Sequence, residues 1–250
     1  MMIRAKRGIL ANTVILIAVI IFGWQILFVL LGSDALRSPW DTFRFTIALL
    51  AGDLLWPHAR ETLLAFVIAL AVAGVSGLAA GFALGSSRGA AEVLEPVLTA
   101  VYSIPKVTLY PILLLAFGLG MPAKVAFGAI HGFVPIALFT LNGVRNVRPV
   151  LLKTARAMKL GKWDAMRRVL FPAALPEIFT GLRIGFSLTL IGTLLGEMFA
   201  SQRGLGYLLM NAIGLHNIDL IMALTLLIVA ASVTVSSVLL HFDRRLRERL

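Results

Sequence analysis

The sequence predicts an all-α integral membrane protein: six transmembrane helices and a cytoplasmic loop of two short helices. Three observations lead there. Hydrophobic residues make up 59% of the 250 and charged residues 14%, whereas a soluble domain has about 45–50% and about 25%. That apolar excess cannot fit inside one water-soluble core, so lipid must solvate much of the surface. Second, apolar runs recur at a length that crosses a bilayer core, about 20 residues for about 30 Å. Third, Lys and Arg concentrate in alternate connections between those runs, as they do on the cytoplasmic side of membrane proteins.

Each span follows in order. Residues 9–31, 62–87, 125–144 and 220–240 are uncharged. Residues 95–119 carry Lys106 and are interrupted by Pro105 and Pro111, which break the backbone ladder. Residues 178–199 are apolar, with Arg183 and Glu197 near the two ends. The whole chain, 1–250, reads as one transmembrane domain. The first span follows Arg4, Lys6 and Arg7, but its run exceeds the 7–15 residues or so of a signal core and no small-residue cleavage site follows, so an uncleaved anchor is expected. Gly77, Gly81 and Gly85 repeat every four residues on the second span, a spacing that lets helices approach closely.

Orientation follows from the basic residues. With six spans, Arg4, Lys6 and Arg7, then Arg88, then eight Lys and Arg within 145–168, then Arg244, Arg245, Arg247 and Arg249 share one side. Both termini are therefore expected in the cytoplasm. The other side has a first loop of mixed charge, then Lys124 and Arg203. Trp40 and Trp56 flank that first loop, which suits a short interfacial helix. The net charge of +11 does not indicate nucleic acid, because the basic residues lie between apolar runs. With no cysteine, disulfides, thiolate nucleophiles and thiolate metal sites are excluded.

The loop 145–172 is the most informative segment. Pro149 suits a first helical turn. Leu151, Leu152, Ala155 and Met158 recur at helical spacing with Lys153, Arg156 and Lys159 beside them. Gly161 is a helix stop, and residues 163–171 form a second short helix ended by Pro172 and Pro176. A purely topogenic loop needs basic residues but no Leu151, Met158 or Trp163; an apolar face on an ordered pair of helices suits a partner's groove.

These residues resemble the coupling segment of binding-protein-dependent ABC importer permeases. The family pattern is Glu-Ala-Ala, three residues, Gly, nine residues, Ile, one residue, Leu-Pro. It falls here on Lys153, Thr154 and Ala155, then Lys159, then Val169, Phe171 and Pro172. Ala155 and Pro172 match, Val169 is a close substitute, and Lys153, Thr154 and Lys159 depart from it. The flanks resemble the branch that imports sulfonates, taurine and nitrate: Pro176, then Gly181 to Arg183, Glu197, and the Gly-Leu-Gly-Tyr turn from Gly204 and Gly206 to Tyr207. The resemblance implies a permease that works as a pair, with a second copy of the chain. Two ATP-binding subunits below hold ATP and Mg, a solute-binding protein lies outside, and the setting is the bacterial inner membrane. No cofactor or metal is implied in this chain, and it is not itself an enzyme. Its only Gly-Lys, at Gly161, is followed by Trp163, so it has no phosphate-binding loop. Lys153, Thr154, Ala155, Arg156, Met158, Lys159, Gly161, Trp163 and Pro172 are then expected to meet the ATPase. The departure at Lys159 leaves Gly161 to make the turn, lengthening the first loop helix by about half a turn.

A solute pathway or gate is expected at Tyr102, Ser103, Pro105, Lys106, Tyr110 and Pro111 of the third span, and at Glu197, Gly204, Gly206 and Tyr207. An acid in a membrane is a functional candidate by default; for Glu197, bonding to the nearby turn or pairing with Arg203 is the structural alternative. Arg183 is expected to snorkel toward the cytoplasmic interface. A gradient-driven transporter or channel acting without an ATPase is the rival reading, but it calls for charged relays at mid-membrane. Here only Lys106 and His131 stand there. An intramembrane enzyme is a weaker rival still: His58, His131, His216 and His241 are scattered, with no metalloprotease motif.

Overall fold

The computed structural model describes the backbone of residues 2–249 and the side chains of all but 1–11, 88, 162, 200, 244 and 246–250. Of the residues that set the expected orientation, Arg4, Lys6, Arg7, Arg88, Arg244, Arg247 and Arg249 lie outside the described side chains. The described chain is helical: α1 (Met2–Leu31), α2 (Pro39–Ala51), α3 (Leu55–Gly85), α4 (Arg88–Ser103), a 3-10 turn (Lys106–Leu109), α5 (Tyr110–Phe117), α6 (Met121–Arg145), α7 (Pro149–Ala157), α8 (Lys162–Ala165), a π turn (Met166–Leu170), α9 (Phe171–Ala200), α10 (Leu205–Gly214) and α11 (Ile218–Arg249). Five helices are long and apolar enough to cross a bilayer. The bent pair 89–103 and 106–117, whose axes meet at 87°, makes a sixth crossing if it is one broken span and a re-entrant loop if it is not. Two compact units make up the chain, residues 1–56 with 209–230, and residues 57–208 with 231–250.

In the first unit α1 is apolar on all sides, and no part of its span is buried, as a helix facing lipid should be. Ser38 caps α2, its Oγ accepting from the Asp41 N–H at 3.1 Å ahead of Pro39 in the first turn. Trp40, Phe43, Ile47 and Leu50 form an exposed apolar stripe, while Thr42, Thr46 and Leu49 face inward. The short helix expected beside Trp40 is thus present and amphipathic. The Arg37 guanidinium meets Asp219 at the start of α11 through Nε at 2.6 Å and Nη2 at 3.0 Å. Asp219 thereby holds the Arg37 pKa above its ordinary value.

The second unit is built around α6. Glycines take α6 close to both neighbours. On α3, a Cβ at Gly77 would stand 2.9 Å from Ile136 Cβ, one at Gly81 would collide with Thr140 Cβ, and one at Gly85 would stand 2.8 Å from Val144 Cβ. Both series ascend together, so α3 and α6 run parallel, as alternate spans must. Against α9 the order reverses: Gly181 meets Phe139, Gly185 meets Ile136, Gly192 meets His131, and Gly196 meets Lys124. The antiparallel α6 and α9 thereby pack backbone to backbone, where dispersion replaces the hydrophobic effect as the attraction. Ala69, Ala73, Ala129 and Ile136 fill the small core between α3 and α6.

Two expectations from the prolines need correction. The second loop helix does not end at Pro172 and Pro176; it continues through the π turn into α9, so that 163–199 is one apolar helical stretch. Pro172 is tolerated because it sits where bonding changes from i−5 (Phe171 N–H to the Met166 carbonyl) to i−4. That change already skips one carbonyl, so the missing N–H costs little. Pro111 likewise breaks nothing, since it lies in the first turn of α5. The break in the third span is at Pro105.

Candidate functional site

The loop 145–172 is held at its base and open at its tip. Leu152 and Leu170 pack against Val144, Val147, Ala174 and Ile178, tying α7 and the π turn to the ends of α6 and α9. Arg145 is ion-paired with Glu95 of α4. At the tip, Met158 is 66% and Trp163 73% exposed. Lys153, Thr154, Arg156 and Lys159 are exposed around them, Ala155 is buried, and Pro172 is half-buried within the helix.

The turn between α7 and α8 is made by Lys159, not by Gly161. Lys159 has φ +52°, whereas Gly161 does not take a left-handed conformation. The Lys159 N–H donates to the Arg156 carbonyl at 2.9 Å and the Leu160 N–H to the Ala155 carbonyl at 3.1 Å. That is the double-bonded cap in which glycine is preferred at the left-handed residue. The family glycine position therefore keeps its glycine conformation here while carrying a lysine, and α7 is not lengthened. A non-glycine residue there costs about 1 kcal/mol. Lys159→Gly is expected to raise stability by about that amount in a thermal melt, and a decrease would mean that the lysine side chain holds the turn.

At the opposite end of α9 lies a buried polar cluster. Glu197 is 0% and Lys124 1% exposed. Lys124 Nζ donates to Glu61 Oε1 at 3.0 Å, to Glu197 Oε1 at 3.4 Å and to the Arg203 carbonyl at 3.4 Å. Glu197 Oε2 accepts from Thr62 Oγ1 at 2.8 Å and from the Gly206 N–H at 3.0 Å. Thr62 Oγ1 in turn accepts from the Leu205 N–H at 2.8 Å, and the Gly204 N–H donates to His58 Nδ1 at 3.1 Å. Successive N–H groups opening α10 are thus capped by side chains of α3 and α9, and Glu197 supplies the negative charge that a helix N-terminus favours. Gly204 has φ +123°, and a Cβ there would run into the Glu197 carboxylate. Tyr207 stacks on His58 with ring centroids 5.9 Å apart. Glu197, Gly204, Gly206 and Tyr207 are therefore one assembly. The partner of Glu197 is Lys124, however, and Arg203 contributes its carbonyl. In the sequence Lys124 is only a lone cation between two apolar runs, and no local pattern sets it apart.

A cavity of about 630 Å³ opens beside this cluster, lined by Glu61, Gly120, Phe199, Gln202 and Arg203 among others. The third-span residues divide. Lys106 Nζ donates to the Tyr102 carbonyl at 3.0 Å and lies 5.1 Å from the Tyr102 ring centroid, so it caps the end of α4 freed by Pro105. Ser103 Oγ donates to the Thr99 carbonyl at 3.1 Å. Tyr110 is buried; its hydroxyl donates to the Gly196 carbonyl at 2.8 Å and its ring packs on Phe127, anchoring α5 to α9 and α6. The Arg183 side chain is 26% exposed and faces Asp243 at the end of the apolar stretch of α11.

Residues 73–248 match the family described as binding-protein-dependent transport system inner membrane component. A probable ABC transporter permease protein of Haemophilus influenzae is 34% identical over 180 residues, 72% of this chain and 74% of that one. The riboflavin transport system permease protein of Chloroflexus aurantiacus is 34% identical over 221 residues, 87% and 82% of the two chains. The taurine transport system permease protein of Escherichia coli is 31% identical over 158 residues, 63% and 58%. Among solved structures, an inward-facing MetNI methionine ABC transporter has the same fold, with a TM-score of 0.67 at 19% identity over 77% of this chain and 97% of that one. The helical membrane fold, the exposed loop between its fourth and fifth crossings and the family match lead to one conclusion: the chain belongs to the binding-protein-dependent transport system inner membrane components, the multi-pass permeases of ABC transporters.

Proposed function

We propose that this permease, paired with a second copy of itself, imports a small anionic solute and takes its drive from two ATPase subunits docked on residues 145–172. The observation that carries this is the loop tip. Met158 and Trp163 stand exposed among Lys153, Arg156 and Lys159 on the two sides of the Lys159 turn, and Trp163 begins the helical stretch that runs on into α9. An isolated apolar pair ringed by cations suits a groove with an acidic rim. From Trp163 to Glu197 the helical rise is about 50 Å at about 1.5 Å per residue. Movement of the ATPase cleft would therefore reach the outer cluster through one rod rather than through a chain of side chains. This is rigid-body switching between two packed states. ATP and Mg belong to the ATPase, both termini face the cytoplasm, and an external solute-binding protein delivers the solute to the end carrying Glu197. Relatives named for taurine, aliphatic sulfonates and nitrate support an anionic solute.

The test is co-purification with the ATPase encoded beside this chain. Trp163→Ala should weaken association by about 30-fold or more, the effect of losing a hot-spot aromatic worth about 2 kcal/mol. Arg148→Ala should change it by less than about fivefold, as a rim charge would. The reverse ranking would make the loop a lipid contact, and solute uptake by this chain without any ATPase would overturn the proposal.

A further inference from the structure

We propose that Lys159, in the turn between α7 and α8, matches this permease to its own ATPase by placing its ammonium against a carboxylate in the ATPase cleft. The inference rests on the docking proposed above and names one contact within it. Six described residues have a positive φ. Four are Gly32, Gly118, Gly120 and Gly204, and a fifth is His216, a residue type several-fold enriched there. Lys159, at +52°, is the exception. His216 ends α10 in a cap of the same kind: its N–H donates to the Ile213 carbonyl at 3.1 Å, and the Asn217 N–H to the Ala212 carbonyl at 2.9 Å. The turn at residue 159 is thus an ordinary one that glycine would fill better.

Nothing among the described residues compensates the lysine. Its side chain is exposed and carries no described ion pair. Residues 145–172 hold eight Lys and Arg but one acid, Asp164, and Asp164 pairs with Arg168 at 3.3 Å. Arg145 pairs outside the loop, with Glu95. Lys153, Arg156 and Lys159, three residues apart, are left to repel one another. A residue held in an unfavourable backbone region at an exposed position points to a use for the side chain it carries. A partner's carboxylate would relieve the repulsion and fix the register of the turn in its cleft. An acidic lipid surface would take a cation from any exposed position and gives no reason to hold one here. The backbone strain is the same in the free and the docked loop. Removing it therefore leaves association unchanged, and any change in association reports the contact itself.

The full chain in phosphatidylcholine nanodiscs is titrated with the ATPase encoded beside it, at about 50 and about 500 mM salt. Lys159→Gly and Lys159→Asn both suit a left-handed turn, and each should weaken association at least about fivefold at the lower salt. Lys159→Arg keeps the charge and should stay within about twofold. At the higher salt the Gly and Asn deficits should shrink below about twofold, while that of Trp163→Ala persists. Thermal melts should show Lys159→Gly at least as stable as the wild type, which separates lost contact from lost folding. Unchanged or tighter association of the Gly and Asn variants, an equal deficit at both salts, or a loss in Lys159→Arg as large as in Lys159→Gly overturns the proposal. In each of those cases a weakened Trp163→Ala leaves the docking itself standing. If Trp163→Ala also associates normally, or the wild type does not associate, the docking falls together with the proposal. A Lys159→Gly deficit seen only when phosphatidylglycerol replaces phosphatidylcholine assigns the lysine to lipid and overturns the proposal too.

Discussion

Replacing Lys124 by alanine is expected to destabilise the permease by about 3–5 kcal/mol, the effect of leaving a fully buried carboxylate without its cation. Glu197 would keep two hydrogen bonds, from Thr62 and Gly206, but no opposing charge. Glu61 would fare better, since its side chain is half-buried and can rehydrate. Denaturant unfolding of the purified chain in detergent reads the loss; a loss under about 1 kcal/mol would mean that the cluster is hydrated. A cycle sharpens the test. In the double variant Lys124→Ala with Glu197→Gln both charges are gone, while the glutamine oxygen can still accept from the α10 N–H. It should therefore recover most of the loss, giving a coupling between the sites of more than about 2 kcal/mol. Glu197→Gln alone leaves Lys124 on Glu61 and should cost less than Lys124→Ala. If instead the two single losses simply add, the pair makes no direct interaction.

Leucine at Gly81 is expected to prevent stable folding, and alanine there to cost about 1–3 kcal/mol, the range for overpacking a filled interface. An added Cβ would collide with Thr140, with the Ala137 carbonyl 2.6 Å away, and a backbone carbonyl cannot swing aside as a side-chain end can. α3 and α6 would have to separate along their parallel contact, loosening the neighbouring approaches at Gly77 and Gly85. Gly74, about two turns earlier on the same helix, is the control. A Cβ there meets nothing within 4 Å, so Gly74→Ala should be neutral or stabilise by up to about 1 kcal/mol through helix propensity. Equal losses at Gly74 and Gly81, measured by melting and membrane abundance, would assign the effect to lipid contact instead of helix packing.

What was legible in the sequence differs by element. Helix α1 and the apolar lengths of α3 and α11 are one-dimensional properties and were read without error of kind. So was the short helix beside Trp40, whereas the grouping of Glu197 with the Gly-Leu-Gly-Tyr turn rests on the family resemblance of those residues. The spacing of Gly77, Gly81 and Gly85 announced a close contact but not its partner. Lys159 was read as a lost glycine because sequence shows residue type, while the left-handed turn shows in φ alone. Pro172 was read as a helix end because a proline's missing N–H ordinarily interrupts bonding; the preceding π turn, which absorbs it, has no sequence signature.

The sequence by itself determined that this chain lies in a membrane and crosses it as helices, since these depend on apolar length summed over short segments. Only the tertiary structure decided that Lys124 neutralises Glu197 from 73 residues away, that Arg183 faces Asp243, and that α8, the π turn and α9 form one helical stretch from Trp163 to the Glu197 cluster. Those outcomes turn on distances set by how helices are brought together. In a low-dielectric interior a buried charge is tolerated only where that assembly places its partner.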